Sequence, residues 1–371
     1  MSARIPLSSP DVTEEEIAAV VAVLRTPHLS LGPQLAAFES ELAAFHNVDH
    51  AIAVSSGTAG LHLVLLALGI HQGDEVILPS FAFVALASAV LHVGATPVFA
   101  DIDSKTLNLD PGAAEQAITP RTRAILVVHT FGAPADMTSI SRLAGRHHLA
   151  VIEDACESIG ARFDGCRTGS FGDLAVLGFY PNKQMTTGEG GAVLTRNPEY
   201  AAHIRRLRNQ GRDPDAGWLD YVEPGYNYRL AEPACALGRA QLRRIDEMSA
   251  LRRKAAERYH ALLDGVAELE LPPLTLPHRE ISWFVYVVRL AEGIDRDAVQ
   301  VRLAREGIDT GRYFAPIHLQ PAWRGRDSAM RLPVSESIAQ RTLALPFFNR
   351  ITGDQQQKVA SALRAAIDGA D

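Results

Sequence analysis

The chain has 371 residues, of which 47% are hydrophobic and 21% are charged, and this composition is typical of a globular protein with one large and one smaller domain. A formal net charge of −7 argues against a nucleic-acid partner, because binding a duplex needs a concentrated positive surface. No apolar run approaches the roughly 20 residues of a membrane helix, and the first residues carry no export signal, so we expect a cytoplasmic protein without a membrane span. The three cysteines lack metal-type spacing, so we expect no metal site.

In chain order, the first predicted elements are two amphipathic helices over residues 12–24 and 33–46, joined by a turn. From about residue 50 to 195, short apolar segments alternate with helical patterns. These segments are HAIAVSS, DEVILPS, TPVFADID, RAILVVHT, LAVIEDA, LAVLGFY and GAVLTR. Strands separated by helices predict an α/β domain with a mostly parallel sheet, whose ligands bind at the carboxyl ends of the strands.

The pattern changes after residue 230. Residues 230–266 form one long helical stretch with charges spaced four residues apart, which we interpret as a connector. A smaller α/β domain follows, with WFVYVVRL as its clearest strand and DRDAVQVRLAREG as its clearest helix. We therefore predict a large domain over residues 1–240, including the N-terminal helices, and a small C-terminal domain over residues 241–371.

Lysine is scarce in this sequence, and its positions are therefore informative. Only Lys105, Lys183, Lys254 and Lys358 occur. Lys183 differs from the others because it follows the apolar segment LAVLGFY and precedes the glycine-containing segment QMTTGEGGAVLT. A low-dielectric environment disfavours the ammonium form and so supplies the neutral amine that forms a Schiff base with an aldehyde. The alternative is a surface lysine in a hairpin loop.

Three further features accompany this lysine. Asp154 ends the predicted strand in LAVIEDA, where a carboxylate can pair with a protonated pyridine nitrogen; alternatively it caps a turn. Ser55, Gly57 and Thr58 lie between a strand and a helix, where hydroxyls and free backbone N–H groups suit a phosphate, although an ordinary helix cap has the same pattern. Phe83, at the next passage from strand to helix, is placed either to stack on a planar cofactor or to pack in the core.

These features, in this order, resemble the DegT-type nucleotide-sugar aminotransferases, a branch of the fold-type-I enzymes that use pyridoxal phosphate. The resemblance covers nearly the whole chain and includes VSSGTAGL, GDEVILPSFAFVA, VIEDACESIGA, GFYPNKQMTTGEGG, EPGYNYRLAEPACALGRAQL and RYFAPIHLQP. It implies a fold-type-I transferase with a mostly parallel central sheet in its large domain and a smaller C-terminal α/β domain.

The resemblance also implies roles for single residues. Lys183 would form the Schiff base with pyridoxal phosphate and carry protons, and Asp154 would pair with the pyridine nitrogen. The phosphate would lie at Gly57 and Thr58, and the ring of Phe83 would stack on the cofactor. Glu157 would lie near the ring hydroxyl, where many members have glutamine. Asn227 would reach the phosphate bound by the neighbouring subunit, which implies a homodimer with shared active sites. Alternatively, Asn227 caps the following helix.

Two positions depart from the family pattern. Gly178 stands where many members have a phosphate-binding serine, so one hydroxyl is missing, and we expect Asn182 or Ser55 to compensate. Ala82 replaces the usual threonine before the stacking aromatic residue. Neither change affects Lys183 or Asp154.

The resemblance implies a two-stage transfer, in which glutamate leaves its amino group on the cofactor as pyridoxamine phosphate and a keto sugar then takes it up. The segments FYPNKQMTTGEGG, EDACES and GYNYR are most similar to the GDP-perosamine synthase group, which aminates C4 of a GDP-linked 4-keto-6-deoxyhexose. Gly32, Arg229 and His318 are candidate contacts to the nucleotide sugar, although Arg229 is equally placed to brace a dimer and His318 to order a loop.

Several alternatives remain open at this point. The amino group can be added at C3, or to a UDP- or dTDP-linked sugar, and a non-catalytic regulatory protein can be built on the same fold. A 3-dehydratase of this fold normally has histidine where Lys183 stands, which argues against that activity. A nicotinamide-dependent dehydrogenase is disfavoured because the GxGxxG fingerprint is missing.

Overall fold

The computed structural model describes residues 4–213, 217, 220–323 and 330–369, and these residues adopt an α/β fold, as predicted. The helices are α1 Glu14–Leu24, α2 Pro33–His46, α3 Gly57–Ala67, α4 Ala85–His92, α5 Pro111–Gln116, α6 Met137–His147, α7 Pro198–Arg208, α8 Glu232–Arg243, α9 Ile245–Leu263, α10 Arg296–Arg305, α11 Pro333–Arg341 and α12 Gly353–Asp368. The strands are β1 His50–Val54, β2 Glu75–Pro79, β3 Thr96–Ala100, β4 Thr122–Val128, β5 Ala150–Asp154, β6 Arg162–Phe163, β7 Cys166–Arg167, β8 Leu174–Gly178, β9 Gly191–Thr195, β10 Leu269–Glu270, β11 Arg279–Glu280, β12 Tyr286–Leu290 and β13 Thr342–Leu345.

A seven-stranded sheet forms the centre of the described chain, in the order β1-β9-β8-β5-β4-β2-β3. The five strands from β8 to β3 are parallel, whereas β9 runs antiparallel to both of its neighbours. Helices cover the sheet, and strands such as β2 are buried along their whole length, which explains their continuous apolar sequences. The prediction of a mostly parallel sheet is confirmed.

The N-terminal helices begin at specific capping contacts. Thr13 caps α1 through a capping box with Glu16, which satisfies backbone N–H groups that have no partner within the helix. Helix α2 is preceded by Gly32, which has no side chain to cap it. The carboxylate of Glu232 instead accepts hydrogen bonds from Gly32 N, Gln34 N and Leu35 N at 2.8–2.9 Å. Because Glu232 begins α8, this contact fixes α2 against α8.

The prediction of a single long helical stretch over residues 230–266 is wrong in one respect. The chain forms two helices there, α8 and α9, which meet at Arg244. Arg244 leaves helical geometry with φ −99° and ψ 5°, and its guanidinium group donates to Glu16 at 2.7 Å and to Glu247 at 3.2 Å. The charge pattern continues through this break, and no glycine or proline marks the break in the sequence. The predicted domain boundary at residue 240 falls within α8 and stays a prediction.

The C-terminal part contains a second, antiparallel sheet in the order β10-β12-β13, and this sheet packs with α9, α10 and α12 around its own apolar core. A third small sheet, β11-β6-β7, pairs Arg279 and Glu280 with Phe163 and Arg162 of the preceding part. This pairing helps to fix the segment after α9 beside the carboxyl ends of the central strands. No helix among the described residues has both the length and the apolar character needed to cross a membrane.

Candidate active site

A cavity of about 470 Å³ opens at the carboxyl ends of the central strands. Seven of the predicted site residues line it: Gly57, Thr58, Phe83, Asp154, Glu157, Asn182 and Lys183. The opposite wall comes from the C-terminal part of the chain, through Phe284, Tyr313 and Phe314. The cavity therefore lies where parallel α/β sheets usually bind ligands.

Asp154 and Lys183 reach this cavity from neighbouring strands. Asp154 is the last residue of β5 and pairs in register with Val176 of β8, and Lys183 follows five residues after the end of β8. The carboxylate of Asp154 is buried, and its Oδ1 accepts a hydrogen bond from Cys156 N at 2.9 Å. The parallel pairing of β5 with β8 thus brings the amine and the carboxylate to one cavity, as the sequence predicted.

The amine of Lys183 lies between an aromatic ring and a carboxylate. Its Nζ is 4.0 Å from the centre of the Phe284 ring and 3.5 Å from Glu157 Oε1. The side chain is 16% exposed, and the backbone N–H of Lys183 donates to Tyr180 O at 2.9 Å. The lysine is therefore held in a largely water-excluded position, and the alternative of a surface lysine in a hairpin loop does not describe it.

Glu157 is the second buried carboxylate of the cavity. Burial raises its pKa above the usual range for a glutamate, and the charge of Lys183 opposes this shift. Its Oε2 accepts a hydrogen bond from Phe131 N at 3.0 Å. Glu157 is thus fixed by the backbone on one side and faces the lysine amine on the other.

The N-terminus of α3 forms the polar end of the cavity. Ser56 caps the helix by accepting a hydrogen bond from Ala59 N at 3.0 Å, and Gly57 and Thr58 begin its first turn. The N–H groups of a first turn have no partner within the helix and carry a partial positive charge, which suits a phosphate group. The backbone also comes close to its surroundings here, because a Cβ atom on Gly57 would lie 3.0 Å from Cys156 Sγ.

Cys156 also occupies the space beside Gly178, the position that lacks the expected serine. A Cβ atom on Gly178 would lie 3.1 Å from Cys156 Sγ and 3.2 Å from its Cβ. Burial raises the pKa of the Cys156 thiol well above its usual value, and the neighbouring charge of Asp154 adds to the shift. The thiol is therefore a neutral group that fills volume at this end of the cavity.

Asn182 and Ser55, the two residues expected to compensate for Gly178, are placed differently. Asn182 lines the cavity and donates from Nδ2 to Tyr313 Oη at 3.4 Å, while its buried Oδ1 has no hydrogen-bond partner among the described residues. Ser55 does not line the cavity, and its backbone N–H donates to Tyr228 O at 2.8 Å. The unpaired amide oxygen is available to a hydroxyl or amino group of a ligand.

Phe83 lies at the cavity rather than in the core. Its side chain is 60% exposed in the single chain, whereas the neighbouring Phe81 is fully buried. An exposed ring at a cavity wall can stack on a planar ligand. The alternative of a core-packing role for Phe83 is therefore wrong.

Besides Ser55, four further predicted residues do not line the cavity of the single chain. Asn227 is exposed between Tyr226 and Tyr228, whose rings stack at 5.1 Å. Arg229 donates to Asn209 Oδ1 at 2.9 Å, and Gly32 lies at the start of α2. The His318 ring is buried between two partners, with Nδ1 2.6 Å from Ser80 Oγ and Nε2 3.2 Å from Glu336 Oε1.

Sequence reasoning missed several residues that line the cavity. Cys156 and Tyr180 are close in sequence to predicted residues, whereas Phe284 and Tyr313 lie 101 and 130 residues after Lys183. Phe284 lies in the predicted strand WFVYVVRL, and Tyr313 lies in RYFAPIHLQP, a segment that resembles the family. Only the tertiary fold places Phe284 against Lys183 and Tyr313 at the same cavity, so no local pattern identifies them.

The cavity combines the groups that hold pyridoxal phosphate: an amine for the aldehyde, a carboxylate for the ring nitrogen, a helix N-terminus for the phosphate and an exposed ring for stacking. No cluster of three or more potential metal ligands occurs among the described residues. Fold and site together define a fold-type-I enzyme that depends on pyridoxal phosphate.

Comparison with known proteins gives the family. Residues 10–364 match the DegT/DnrJ/EryC1/StrS aminotransferase family. The chain belongs to this family and is a pyridoxal-phosphate-dependent sugar aminotransferase.

Three solved structures illustrate the similarity. DesV from S. venezuelae, solved in complex with a ketimine intermediate, is 38% identical with a TM-score of 0.92, and the match covers 100% of both chains. The putative sugar aminotransferase Spr1654 from Streptococcus pneumoniae, in its PMP form, is 26% identical with a TM-score of 0.95 over 99% of this chain and 98% of the other. PseC from Helicobacter pylori, an aminotransferase involved in the biosynthesis of pseudoaminic acid, is 26% identical with a TM-score of 0.93 over 98% and 99%.

Proposed function

We propose that this enzyme transfers the amino group of glutamate to the C4 keto group of a GDP-linked 4-keto-6-deoxy sugar. The convergence of Lys183 and Asp154 in one cavity carries the proposal of amino transfer. The similarity of EDACES, FYPNKQMTTGEGG and GYNYR to the GDP-perosamine synthase group supports the choice of substrate. Glutamate becomes 2-oxoglutarate and the keto sugar becomes an amino sugar, so the overall exchange balances without an external oxidant or reductant.

The proposed roles follow from the placement of each side chain. Lys183 would hold the cofactor through Nζ, Asp154 would pair with the ring nitrogen, and the first turn of α3 at Gly57 and Thr58 would hold the phosphate. Phe83 would stack on the ring. When bound, pyridoxal phosphate supplies an aldehyde that condenses with amines and a ring that withdraws electrons from the adjacent carbon.

The chain's own proton chemistry centres on Lys183 and Glu157. Once its amine is released, Lys183 Nζ takes the proton from the donor carbon that bears the amino group, and later delivers a proton to the sugar carbon that gains it. Glu157 Oε1, 3.5 Å from Nζ, keeps the amine directed into the cavity between these steps. The apolar wall formed by Phe284 and Phe314 would keep water away from the amine of Lys183 during these proton transfers.

The charge of the cavity supports an active site that is shared within a homodimer. Among the residues that the structure describes, Lys183 is the one cationic side chain lining the cavity, which also contains Asp154, Glu157 and Glu189. A nucleoside diphosphate is strongly anionic and needs opposing cations. We propose that a second copy supplies further polar contacts, and the exposure of Asn227 on the single chain is consistent with that role. Gly32, Arg229 and His318 remain the candidate contacts to the nucleotide sugar.

A substrate panel tests this function. The cofactor-loaded protein is incubated with glutamate and with 4-keto-6-deoxy and 3-keto sugars linked to GDP, UDP or dTDP, and the products are identified by mass spectrometry. We expect the GDP-linked 4-keto-6-deoxy sugar to be aminated fastest, and Lys183→Ala to give no product. Faster amination of a 3-keto sugar or of another nucleotide would overturn the substrate assignment, and no amination of any sugar would favour the non-catalytic regulatory protein.

A further inference from the structure

Arg252 of α9 is a buried charged side chain that the reaction described above does not use. It is 2% exposed, and no carboxylate among the described residues forms an ion pair with it. Burial lowers its pKa to about 10, and the charge of Asp11 opposes that shift, so the side chain remains a cation at neutral pH. A buried cation without a paired carboxylate is costly unless its N–H groups are used elsewhere.

The guanidinium group of Arg252 binds three backbone carbonyl groups instead. Its Nη1 donates to Trp283 O at 3.1 Å and to Phe284 O at 2.9 Å, and its Nη2 donates to Lys183 O at 3.3 Å. The first two carbonyls belong to the C-terminal part of the chain, and the third belongs to the loop that carries the amine. One side chain therefore connects the two walls of the cavity behind Lys183.

Arg252 binds the backbone of Phe284, and the ring of Phe284 lies beside the amine of Lys183. Lys183 Nζ lies 4.0 Å from the ring of Phe284, and the main chains of these same two residues are joined by Arg252. Arginine suits this position because its planar group offers several N–H donors in a fixed arrangement, whereas lysine offers a compact group on a flexible stem. Loss of the guanidinium group would leave three buried carbonyls without this donor.

We infer that Arg252 is a positioning residue, which holds the main chain of Lys183 against that of Phe284 and so fixes the amine for imine formation and proton transfer. The inference rests on the proposed role of Lys183. Since a displacement of about 1 Å at reacting groups can slow a reaction about 100-fold, the loss of these contacts should slow the chemistry more than it weakens substrate binding.

The test compares Arg252→Met and Arg252→Lys with Arg253→Met. Arg253 is the adjacent exposed residue on the same helix and provides the matched control. Cofactor-free protein is mixed with pyridoxal phosphate, and the rate of imine formation is followed by absorbance. The kcat and the KM for glutamate are then measured with the loaded enzyme, and Tm is recorded for each variant.

We expect Arg252→Met to slow imine formation about 10- to 100-fold and to lower kcat by a similar factor, with KM within about two-fold of the wild type. Arg252→Lys, which retains a buried cation but not the planar group, should fall between Met and the wild type, and Arg253→Met should match the wild type. If both Arg252 variants lower Tm but form the imine and turn over at the wild-type rate, Arg252 is merely structural and the inference is wrong. If the wild-type protein itself forms no imine, the proposed role of Lys183 fails and the inference fails with it.

Discussion

Replacement of Gly178 by serine should destabilise the protein because Cys156 already fills the adjacent space. The new Cβ atom would lie 3.1 Å from Cys156 Sγ and 3.2 Å from Cys156 Cβ, which is closer than the usual contact of about 3.5–4.0 Å. Overpacking of this kind costs about 1–3 kcal/mol. We therefore expect Gly178→Ser to lower the free energy of unfolding by about 2 kcal/mol.

Cys156→Ala removes the Sγ atom. The double variant therefore tests whether the contact between residue 178 and Cys156 Sγ causes the loss of stability. Because the Cβ atom of residue 156 stays in place, the relief should be partial, and we expect a favourable coupling of about 1–2 kcal/mol between the two substitutions. The serine hydroxyl also adds a donor at the phosphate end of the cavity. A hydrogen bond to a charged group contributes about 1.5–3 kcal/mol, so the double variant should bind pyridoxal phosphate about 10- to 150-fold more tightly than Cys156→Ala.

The assay is urea unfolding of the cofactor-free protein, followed by titration with pyridoxal phosphate. Gly145→Ser serves as the control, since a Cβ atom there meets nothing within 4 Å, and we expect a change below about 0.5 kcal/mol. A stability of Gly178→Ser equal to that of the wild type, or additive effects in the double variant, would refute the steric explanation.

Three further predictions concern single residues. Burial raises the pKa of Glu157 above its usual value of 4.5, so the folded state binds this proton more tightly than the unfolded chain does. The contribution of Glu157 to stability is therefore present below pH 4.5 and is lost as pH rises through the raised pKa. The free energy of unfolding of Glu157→Gln relative to the wild type, measured in urea, should increase with pH, and a decrease would contradict this. Burial lowers the pKa of His46 from 6.5 to about 4, so the stability that this neutral ring contributes should decrease by about 3 kcal/mol as pH falls across that interval. His46→Gln should therefore lose less stability than the wild type in the same assay, and an equal loss would exclude a contribution from His46. Phe83 is largely exposed, so Phe83→Leu should change the free energy of unfolding by less than about 0.5 kcal/mol. The same variant should raise the dissociation constant of pyridoxal phosphate about 2- to 10-fold, and an unchanged constant would show that Phe83 does not stack on the cofactor.

The strands of the central sheet could be predicted from the sequence, but their order could not. Each apolar segment between residues 50 and 195 forms a strand of the central sheet, because strands buried on both faces have continuous apolar sequences. The insertion of β9 between β1 and β8, antiparallel to both, depends on contacts between distant segments. The break between α8 and α9 depends likewise on the contact of Arg244 with Glu16, 228 residues away.

The site shows the same division. Asp154 ends one apolar strand and Lys183 follows another, so the sequence predicted that neighbouring parallel strands bring them together. This local pattern left a surface lysine as an alternative, and the resemblance to the aminotransferase family was needed to assign the two residues their roles. Phe284, Tyr313 and Arg252 have no such local signal, since only the tertiary packing brings the first two to the cavity and the third to the backbone of Lys183. The space filled by Cys156 beside Gly178 is also a property of the folded structure alone.

We propose that the amine of Lys183 binds pyridoxal phosphate covalently. Borohydride reduction of the cofactor-loaded protein, followed by proteolysis and mass spectrometry, tests this most directly. We predict that the reduced cofactor is attached to the peptide containing Lys183, and that Lys183→Ala carries no label and does not transfer an amino group. A label on Lys105, Lys254 or Lys358, or full transamination by Lys183→Ala, would contradict the account.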